Sequence, residues 1–378
     1  MKNEEKAYLY WLHQVPGVGD KGMYRLMETC GSAREVYDAS EKRLRAVLSQ
    51  KQIDALQNLK KEWKVSEAYE RMAEKKICLL SIADEEYPQR LRRMSRPPYI
   101  LYVTGGLPKE ATPTVAIIGA RECSQYGEVM AKAFASCLVQ AGVAVISGMA
   151  RGIDGVSQEA AIASGGETFA VLGCGVDICY PACNHELYEA IKQNGGIIST
   201  YPPGTKPQKM LFPYRNQIVA GLADALLVVE ARQKSGTWIT VDRALEQGKE
   251  VYAVPGRLTD RLSDGCNLLI RQGAGIALSP EDLLAELDIL RNRQIKKKEK
   301  DPGTENGKFE VTVQREKAQE SGLMRGLDFY PKSVDEILEF VQKEDEEMTL
   351  PQLMFDLIQL CMQGKAEQVG GNYFVLKK

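Results

Sequence analysis

The sequence predicts an α/β fold in which helices cover both faces of a mostly parallel sheet. The first observation is a βαβ pattern over residues 114–154. Two compact apolar runs, at 115–118 and 143–146, flank a stretch whose apolar residues recur with helical spacing. The second observation is that apolar runs and helical patterns keep alternating up to residue 272. Such alternation is typical of parallel strands joined by crossover helices.

The predicted elements follow in order along the chain. Residues 1 to 70 show helical spacing, and apolar runs at 77–82 and 99–103 predict strands that extend the sheet ahead of the βαβ unit. Further strands are predicted at 168–172, 196–199, 225–229 and 250–254, and helices at 156–164, 187–193, 237–247 and 266–272.

Changes in composition divide the chain into four predicted parts. Residues 1–72 form a small helical domain, whose PGVG segment at 16–19 fits either a phosphate-binding helix-hairpin-helix turn or a plain helical turn. Residues 73–289 form the α/β domain. Residues 290–330 are polar and charged, which predicts a flexible linker. Residues 331–378 contain helical patterns and a terminal hairpin, which predict a winged-helix domain.

The predicted winged-helix domain is acidic. It holds five lysines and nine acidic side chains, a net charge of −4. Winged helices usually bind DNA with a basic recognition helix, whereas the charged residue of the predicted recognition helix at 350–363 is Asp356. We therefore expect this domain to dock on protein, not in a DNA groove. A solvated acidic module without a partner is the alternative.

Composition disfavours several classes of function. The 378 residues carry a net charge of −2, so nucleic-acid binding needs a local basic patch. No apolar run approaches the ~20 residues of a membrane span, and the start lacks a signal-peptide core. We therefore expect a cytoplasmic protein with no membrane partner. The two histidines, His13 and His185, are too few for most mechanisms that need a histidine base.

The nine cysteines fit reduced thiols, because they are odd in number and scattered along the chain. Cys174, Cys179 and Cys183, with His185, raise the alternative of a zinc site. Their spacings of four and three intervening residues differ from the usual C-x2-C pair, so buried or idle thiols are favoured and no metal is expected. Neither a G-x-G-x-x-G fingerprint nor a P-loop follows the first parallel strand, so no cofactor is expected.

Three turns follow predicted strands, at the sheet edge where open parallel sheets bind ligands. The first, GARECSQYG, brings Gly119, Arg121 and Ser124 to a helix start, which suits a phosphate; an ordinary turn with a surface arginine explains it equally well. The other two turns hold the further candidate residues Gly148, Arg151, Gly152 and Asp154, and Lys234, Ser235, Gly236 and Thr237.

A basic and aromatic segment precedes a later helix. Lys206 and Lys209 come before Phe212, and Arg215 and Asn216 follow at a predicted helix N-terminus. Cations for the backbone and a ring face for a base are what single-stranded nucleic acid needs. The alternative is a proline-rich loop whose ring plugs the core. The arginine of the first turn is expected near the same sheet edge, which favours binding.

Dense motifs run in order from about residue 80 to 285: GARECSQYG, ISGMARGID, the GCG…YP turn, YPPGTKP…FPYRNQIVAGL, VVEA…SGTWIT, VPG and GCNLLIRQGA. They resemble the DprA/Smf family of DNA-processing proteins. The resemblance implies an extended Rossmann-like domain, a homodimer built through it, and no enzymatic activity. It also implies binding of single-stranded DNA, protection of incoming DNA, and loading of RecA during natural transformation. The family's DNA-pocket motifs match Arg121, Lys209, Phe212, Arg215 and Asn216.

Three positions depart from the family pattern: Ser157, Thr200 and Gln217. The last removes one cation from the expected pocket edge. An enzyme is the alternative function, because nucleotide phosphoribohydrolases of the lysine-decarboxylase-like type share the broad fold. They use a PGGxGTxxE motif, where this chain has RQKSGTWIT. Asp154 and Glu230 are the available carboxylates, and structural capping explains them as readily.

Overall fold

The computed structural model describes residues 3–287 and, nearer the carboxyl end, residues 332–342, 349–350, 353–354, 357, 360–361, 366–370 and 373–376. The chain divides into two compact units, Met1–Lys297 and Lys298–Lys378. The predicted linker at 290–330 lies outside the described residues. Within the described ranges, no helix has the length and apolar character needed to cross a membrane.

Six helices open the first unit, where helical spacing predicts them: α1 (Asn3–His13), α2 (Asp20–Cys30), α3 (Ala33–Asp38), α4 (Glu41–Leu44), α5 (Gln50–Glu62) and α6 (Val65–Glu74). Local capping fixes several of their ends. The Ser32 hydroxyl accepts a hydrogen bond from Glu35 N, and Ser49 and Gln52 form a capping box. Helix α2 ends at Gly31, whose φ of 92° favours glycine.

Nine strands form one sheet in the first unit: β1 (Cys78–Ser81), β2 (Ile100–Gly105), β3 (Thr114–Ile118), β4 (Ala144–Ser147), β5 (Thr168–Leu172), β6 (Gly195–Ser199), β7 (Ala225–Val228), β8 (Glu250–Ala253) and β9 (Gly275–Ile276). Their order is β1-β2-β6-β5-β4-β3-β7-β8-β9. Strands β3 to β9 run parallel, whereas β2 pairs antiparallel with β1 and β6. The predicted α/β fold is confirmed, including the two strands ahead of the βαβ unit.

Helices cover both faces of this sheet: α7 (Gln89–Arg92), α8 (Gln125–Gln140), α9 (Ile153–Ala163), α10 (His185–Gln193), α11 (Phe212–Leu222), α12 (Thr237–Glu246) and α13 (Asp264–Arg271). The central strand β3 shows why both faces of the sheet need helices. Val115 and Ile117 pack in one core, and Ala116 and Ile118 pack in the core on the opposite face. A strand buried on both faces needs a continuous apolar run, which is the pattern that predicted it.

The order of the strands reverses at β3. Strands β4, β5 and β6 follow on one side of it, and β7, β8 and β9 lie on the other. In open parallel sheets, ligands bind in the crevice outside the carboxyl ends of the strands at such a switch point. The turns that follow β3 and β7 border this crevice.

The second unit contains β10 (Lys332–Ser333), α14 (Val334–Val341), β11 (Ala366–Gly370) and β12 (Tyr373–Leu376). The strands form an antiparallel sheet in the order β10-β12-β11, which includes the predicted terminal hairpin. Ser333 and Glu336 form a capping box at the start of α14. Ile337, Leu357 and Phe374 lie in a shared core. The acidic run at 344–347 and parts of the predicted recognition helix lie outside the described residues.

Candidate nucleic-acid interface

Phe212 begins α11 at the edge formed by the carboxyl ends of the parallel strands. A single 3-10 turn, Lys209–Leu211, leads into the helix, and Pro213 occupies its first turn, where the missing N–H costs nothing. Arg215 and Asn216 therefore lie near the N-terminus of this helix, as the sequence predicts. The half-buried ring packs over Gly173, where a Cβ would come within 2.8 Å of Phe212 Cδ1.

Two guanidinium groups flank the Phe212 ring. The Cζ atom of Arg215 lies 5.5 Å from the ring centre, and that of Arg121 lies 5.8 Å from it. Both distances allow cation–π attraction. Arg121 comes from the turn after β3 and is exposed, whereas Arg215 comes from the first turn of α11 and is 5% exposed. The structure thus brings the two predicted arginines to one aromatic ring.

Hydrogen bonds to the ends of two strands anchor Arg215. Its Nη1 donates to Gly148 O at 2.5 Å and to Val171 O at 3.0 Å, and its Nε donates to Asn216 Oδ1 at 3.0 Å. Among the described residues, Nη2 has no acceptor. A Cβ on Gly148 would stand 1.7 Å from Nη1, so only glycine leaves room for the guanidinium.

The charge around the ring is positive on balance. Burial lowers the pKa of Arg215; the Asp154 carboxylate opposes this shift and the Arg121 guanidinium adds to it. Burial also raises the pKa of Asp154, although Arg215 and a 3.2 Å hydrogen bond from Gly148 N favour its ionised form. Two guanidinium groups therefore share one buried carboxyl group, and the surplus cation favours an anionic ligand.

Four further predicted cations are exposed: Arg151, Lys206, Lys209 and Lys234. None of them forms an ion pair with the part of the chain that the structure describes. Lys209 lies in the turn directly before Phe212, and Arg151 lies in the turn between β4 and α9. An exposed cation with no internal carboxylate is available to phosphate at little desolvation cost.

The turn after β3 binds an internal carboxylate where the sequence predicted an external phosphate. The Ser124 hydroxyl caps α8 by accepting from Gly127 N at 3.1 Å, and it donates to Glu230 Oε1. Ser124 N donates to Glu230 Oε2 at 2.9 Å. Gly127 leaves space for this carboxylate, because a Cβ there would lie 2.2 Å from Oε2. Ser124 therefore serves an internal contact at the switch point, and burial raises the pKa of Glu230.

The remaining glycine turns meet at the same edge. Thr237 Oγ1 donates to Gly119 O at 3.4 Å, and Gly236 precedes α12 without a side-chain cap. The hydroxyl of Ser235 is buried and has no hydrogen-bond partner among the described residues. Gly152, with a φ of 72°, approaches the turn after β3 so closely that a Cβ would lie 2.2 Å from Ala120 O. The turns after β3, β4 and β7 therefore meet at one edge of the sheet.

One aromatic residue of this edge was not predicted. Tyr180 is 42% exposed, and its ring centre lies 5.7 Å from that of Phe212. The YP turn that holds it was visible in the sequence, but no local pattern predicts its approach to α11. The described residues contain no group of three or more His, Cys, Asp or Glu that could hold a metal ion.

Residues 78–288 match the family model described as DNA recombination-mediator protein A, which covers more than half of the chain and includes every residue of the site above. The chain belongs to the DprA/Smf family. It is similar to a DprA/Smf relative from Streptococcus pneumoniae, DNA processing protein DprA, at 37% identity over 231 residues, 61% of this chain and 82% of the relative. Protein Smf from Synechocystis is 34% identical over 296 residues, 77% of this chain and 74% of the relative.

Two solved DprA structures resemble the DprA/Smf chain described here. The X-ray structure of DprA from Streptococcus pneumoniae superposes with a TM-score of 0.65 at 31% identity, over 76% of this chain and 98% of that one. The second concerns the single-stranded DNA binding mode of DprA from Helicobacter pylori. It superposes with a TM-score of 0.51 at 30% identity, over 56% of this chain and 95% of that one.

Proposed function

We propose that this protein binds single-stranded DNA at the edge that carries Phe212. The observation that supports this proposal is the half-buried ring flanked by the guanidinium groups of Arg121 and Arg215. A ring face stacks on any base, and cations attract the phosphates on either side of it. The single-stranded DNA binding named for the Helicobacter pylori relative agrees with this assignment.

The roles of the side chains in binding DNA differ according to their exposure. Phe212 stacks on a base. The hydrogen-bonded pair of Arg215 and Asn216 supports the ring from the protein side. The exposed cations Arg121, Arg151, Lys206, Lys209 and Lys234 contact phosphates. A duplex base has both of its faces covered by neighbouring bases, so it cannot stack on the ring without being extracted. The site therefore prefers a single strand to a duplex.

The bound strand undergoes no reaction at this site. It is held there for use in recombination. The family model's description, recombination-mediator protein, supports a role in delivering protected single strands to RecA. Acceleration of RecA filament assembly on a single strand by the purified protein tests that role.

A homodimer through the Rossmann-like domain fits the outer edge of the sheet. Strand β9 lies at this edge; Ile276 within it and Leu278 just after it are 50% and 71% exposed. Large apolar side chains exposed beside an open strand edge favour association with a second copy.

Binding without catalysis fits the switch-point crevice. In nucleotide-binding sheets this crevice receives phosphate groups on backbone N–H groups. Here Ser124 N and the Ser124 hydroxyl already donate to the carboxylate of Glu230. The phosphoribohydrolase alternative would need this carboxylate to face a nucleotide, yet Glu230 is 0% exposed.

Titration of single-stranded and duplex oligonucleotides at several salt concentrations tests the proposed function. We expect tighter binding of the single strand and an affinity that falls steeply with salt. Phe212→Ala should weaken single-strand binding by ~1–3 kcal/mol, the usual contribution of one stacked base. Phe340→Ala is the matched control for a lost ring, because Phe340 is 38% exposed and lies in the second unit.

Two outcomes would contradict the proposed function. One is equal affinity for single strands and duplexes. The other is unchanged affinity in a Phe212→Ala variant whose thermal unfolding matches that of the wild type.

A further inference from the structure

Tyr180 presents an aromatic ring to solvent beside the proposed base-binding ring. It is 42% exposed, its ring centre lies 5.7 Å from that of Phe212, and the two ring planes are inclined by 35°. A tyrosine that served only the core would bury its ring and bond its hydroxyl. The hydroxyl of Tyr180 has no hydrogen-bond partner among the described residues, so core packing does not account for this side chain.

The loop that carries Tyr180 is fixed to its neighbours on two sides. Asn184 Nδ2 donates to Met149 O at 3.1 Å, which ties the loop to the turn after β4. Asp177 Oδ1 accepts from Gly204 N at 2.8 Å, which ties it to the loop ahead of α11. A ring that is already held in place loses little conformational entropy when a ligand binds it.

We propose that Tyr180 forms a second stacking position, so that the site takes two consecutive bases of a single strand. One base stacks on Phe212 and the next on Tyr180. This inference rests on the proposed function. The 5.7 Å between the ring centres exceeds the ~3.4 Å rise between stacked bases. Stacking on the two rings therefore replaces stacking of the two bases on each other, which only a single strand allows.

Binding of a short oligothymidylate to the full-length protein tests the second position. We expect Tyr180→Leu, which keeps apolar volume and removes the ring, to weaken binding by about tenfold, as loss of one stacked base does. Tyr180→Phe should bind like the wild type, because stacking needs the ring and not the hydroxyl. Tyr373→Leu is the control, since Tyr373 is 50% exposed and lies in the second unit.

A scan with one abasic nucleotide gives a readout that a purely structural role would not change. Along the shortest oligothymidylate that binds fully, the wild type should show two adjacent sensitive positions and Tyr180→Leu only one. A single sensitive position in the wild type would overturn the second position without any substitution. If the wild type fails to bind single strands, the proposed function itself fails. If Phe212→Ala weakens binding while Tyr180→Leu does not, only the second position fails.

Discussion

At the scale of single residues, Gly148 determines where the buried guanidinium of Arg215 lies. A Cβ at position 148 would stand 1.7 Å from Arg215 Nη1. We expect Gly148→Ala to displace the guanidinium and to lower the free energy of unfolding by about 1–3 kcal/mol, as overpacked buried sites do. Single-strand binding should weaken with it. Chemical denaturation and oligonucleotide titration measure the two effects.

Gly22→Ala is the matched control for this substitution. Gly22 lies within α2, where the nearest atom to an added Cβ is Val18 Cγ1 at 3.4 Å. Alanine at a helical position without a clash is neutral or stabilises by up to about 1 kcal/mol. If Gly148→Ala leaves both stability and DNA affinity at wild-type values, the buried guanidinium does not depend on this glycine.

The place of a site residue in the fold was predictable where a local sequence pattern assigns that residue to the end of a strand or the start of a helix. Arg121 and Arg215 follow predicted strands or begin a predicted helix, so the topology of a parallel sheet brings them to one edge. The role of Ser124 was not predictable, because its partner Glu230 lies 106 positions away in another turn. Tyr180 was missed for the same reason: its approach to Phe212 depends on two loops that carry no periodic pattern.

At the scale of elements, the amino-terminal helices brace the start of α11. The Tyr214 hydroxyl donates to Asp20 Oδ2 at 2.5 Å, and Tyr99 N donates to Asp20 Oδ1 at 2.7 Å. Along α11, Tyr214 lies between Phe212 and Arg215 of the proposed DNA site. We expect Tyr214→Phe to lower the free energy of unfolding by about 1–3 kcal/mol, because a half-buried carboxylate loses a donor. It should also weaken single-strand binding, measured by titration.

Tyr126→Phe separates these two effects. Its hydroxyl donates to Pro255 O at 2.9 Å, in the segment that follows β8. We expect a loss of stability from this variant without a loss of DNA affinity. Equal DNA affinity in Tyr214→Phe and Tyr126→Phe would show that α11 keeps its position without Asp20.

Elements were predictable in proportion to their length and burial. The strands β3 to β8 appeared as apolar runs because each is covered on both faces. Strand β9 has two residues and α7 has four, too few for either periodicity to show.

At the scale of the whole molecule, the proposed DNA site lies in the first compact unit. All residues of the proposed site lie within Met1–Lys297, and the winged-helix candidate carries a net charge of −4. We expect a variant that ends at residue 297 to bind single strands with wild-type affinity, since a segment of net negative charge makes no favourable contact with phosphate. Titration of both proteins at the same salt concentration measures this. A much weaker affinity of the shortened protein would assign a DNA contact to the second unit.

The carboxylate of Glu230 at the switch point determines which chemical classes of inhibitor can bind this protein. Cofactor analogues deliver a phosphate to backbone N–H groups that, in this protein, already donate to a carboxylate 2.9 Å from Ser124 N. Such a compound would have to displace a buried side chain and bring two negative charges together. A compound with flat rings and anionic groups matches the surface around Phe212 instead. Selective ligands for this protein should therefore imitate a short oligonucleotide and not a nucleotide cofactor.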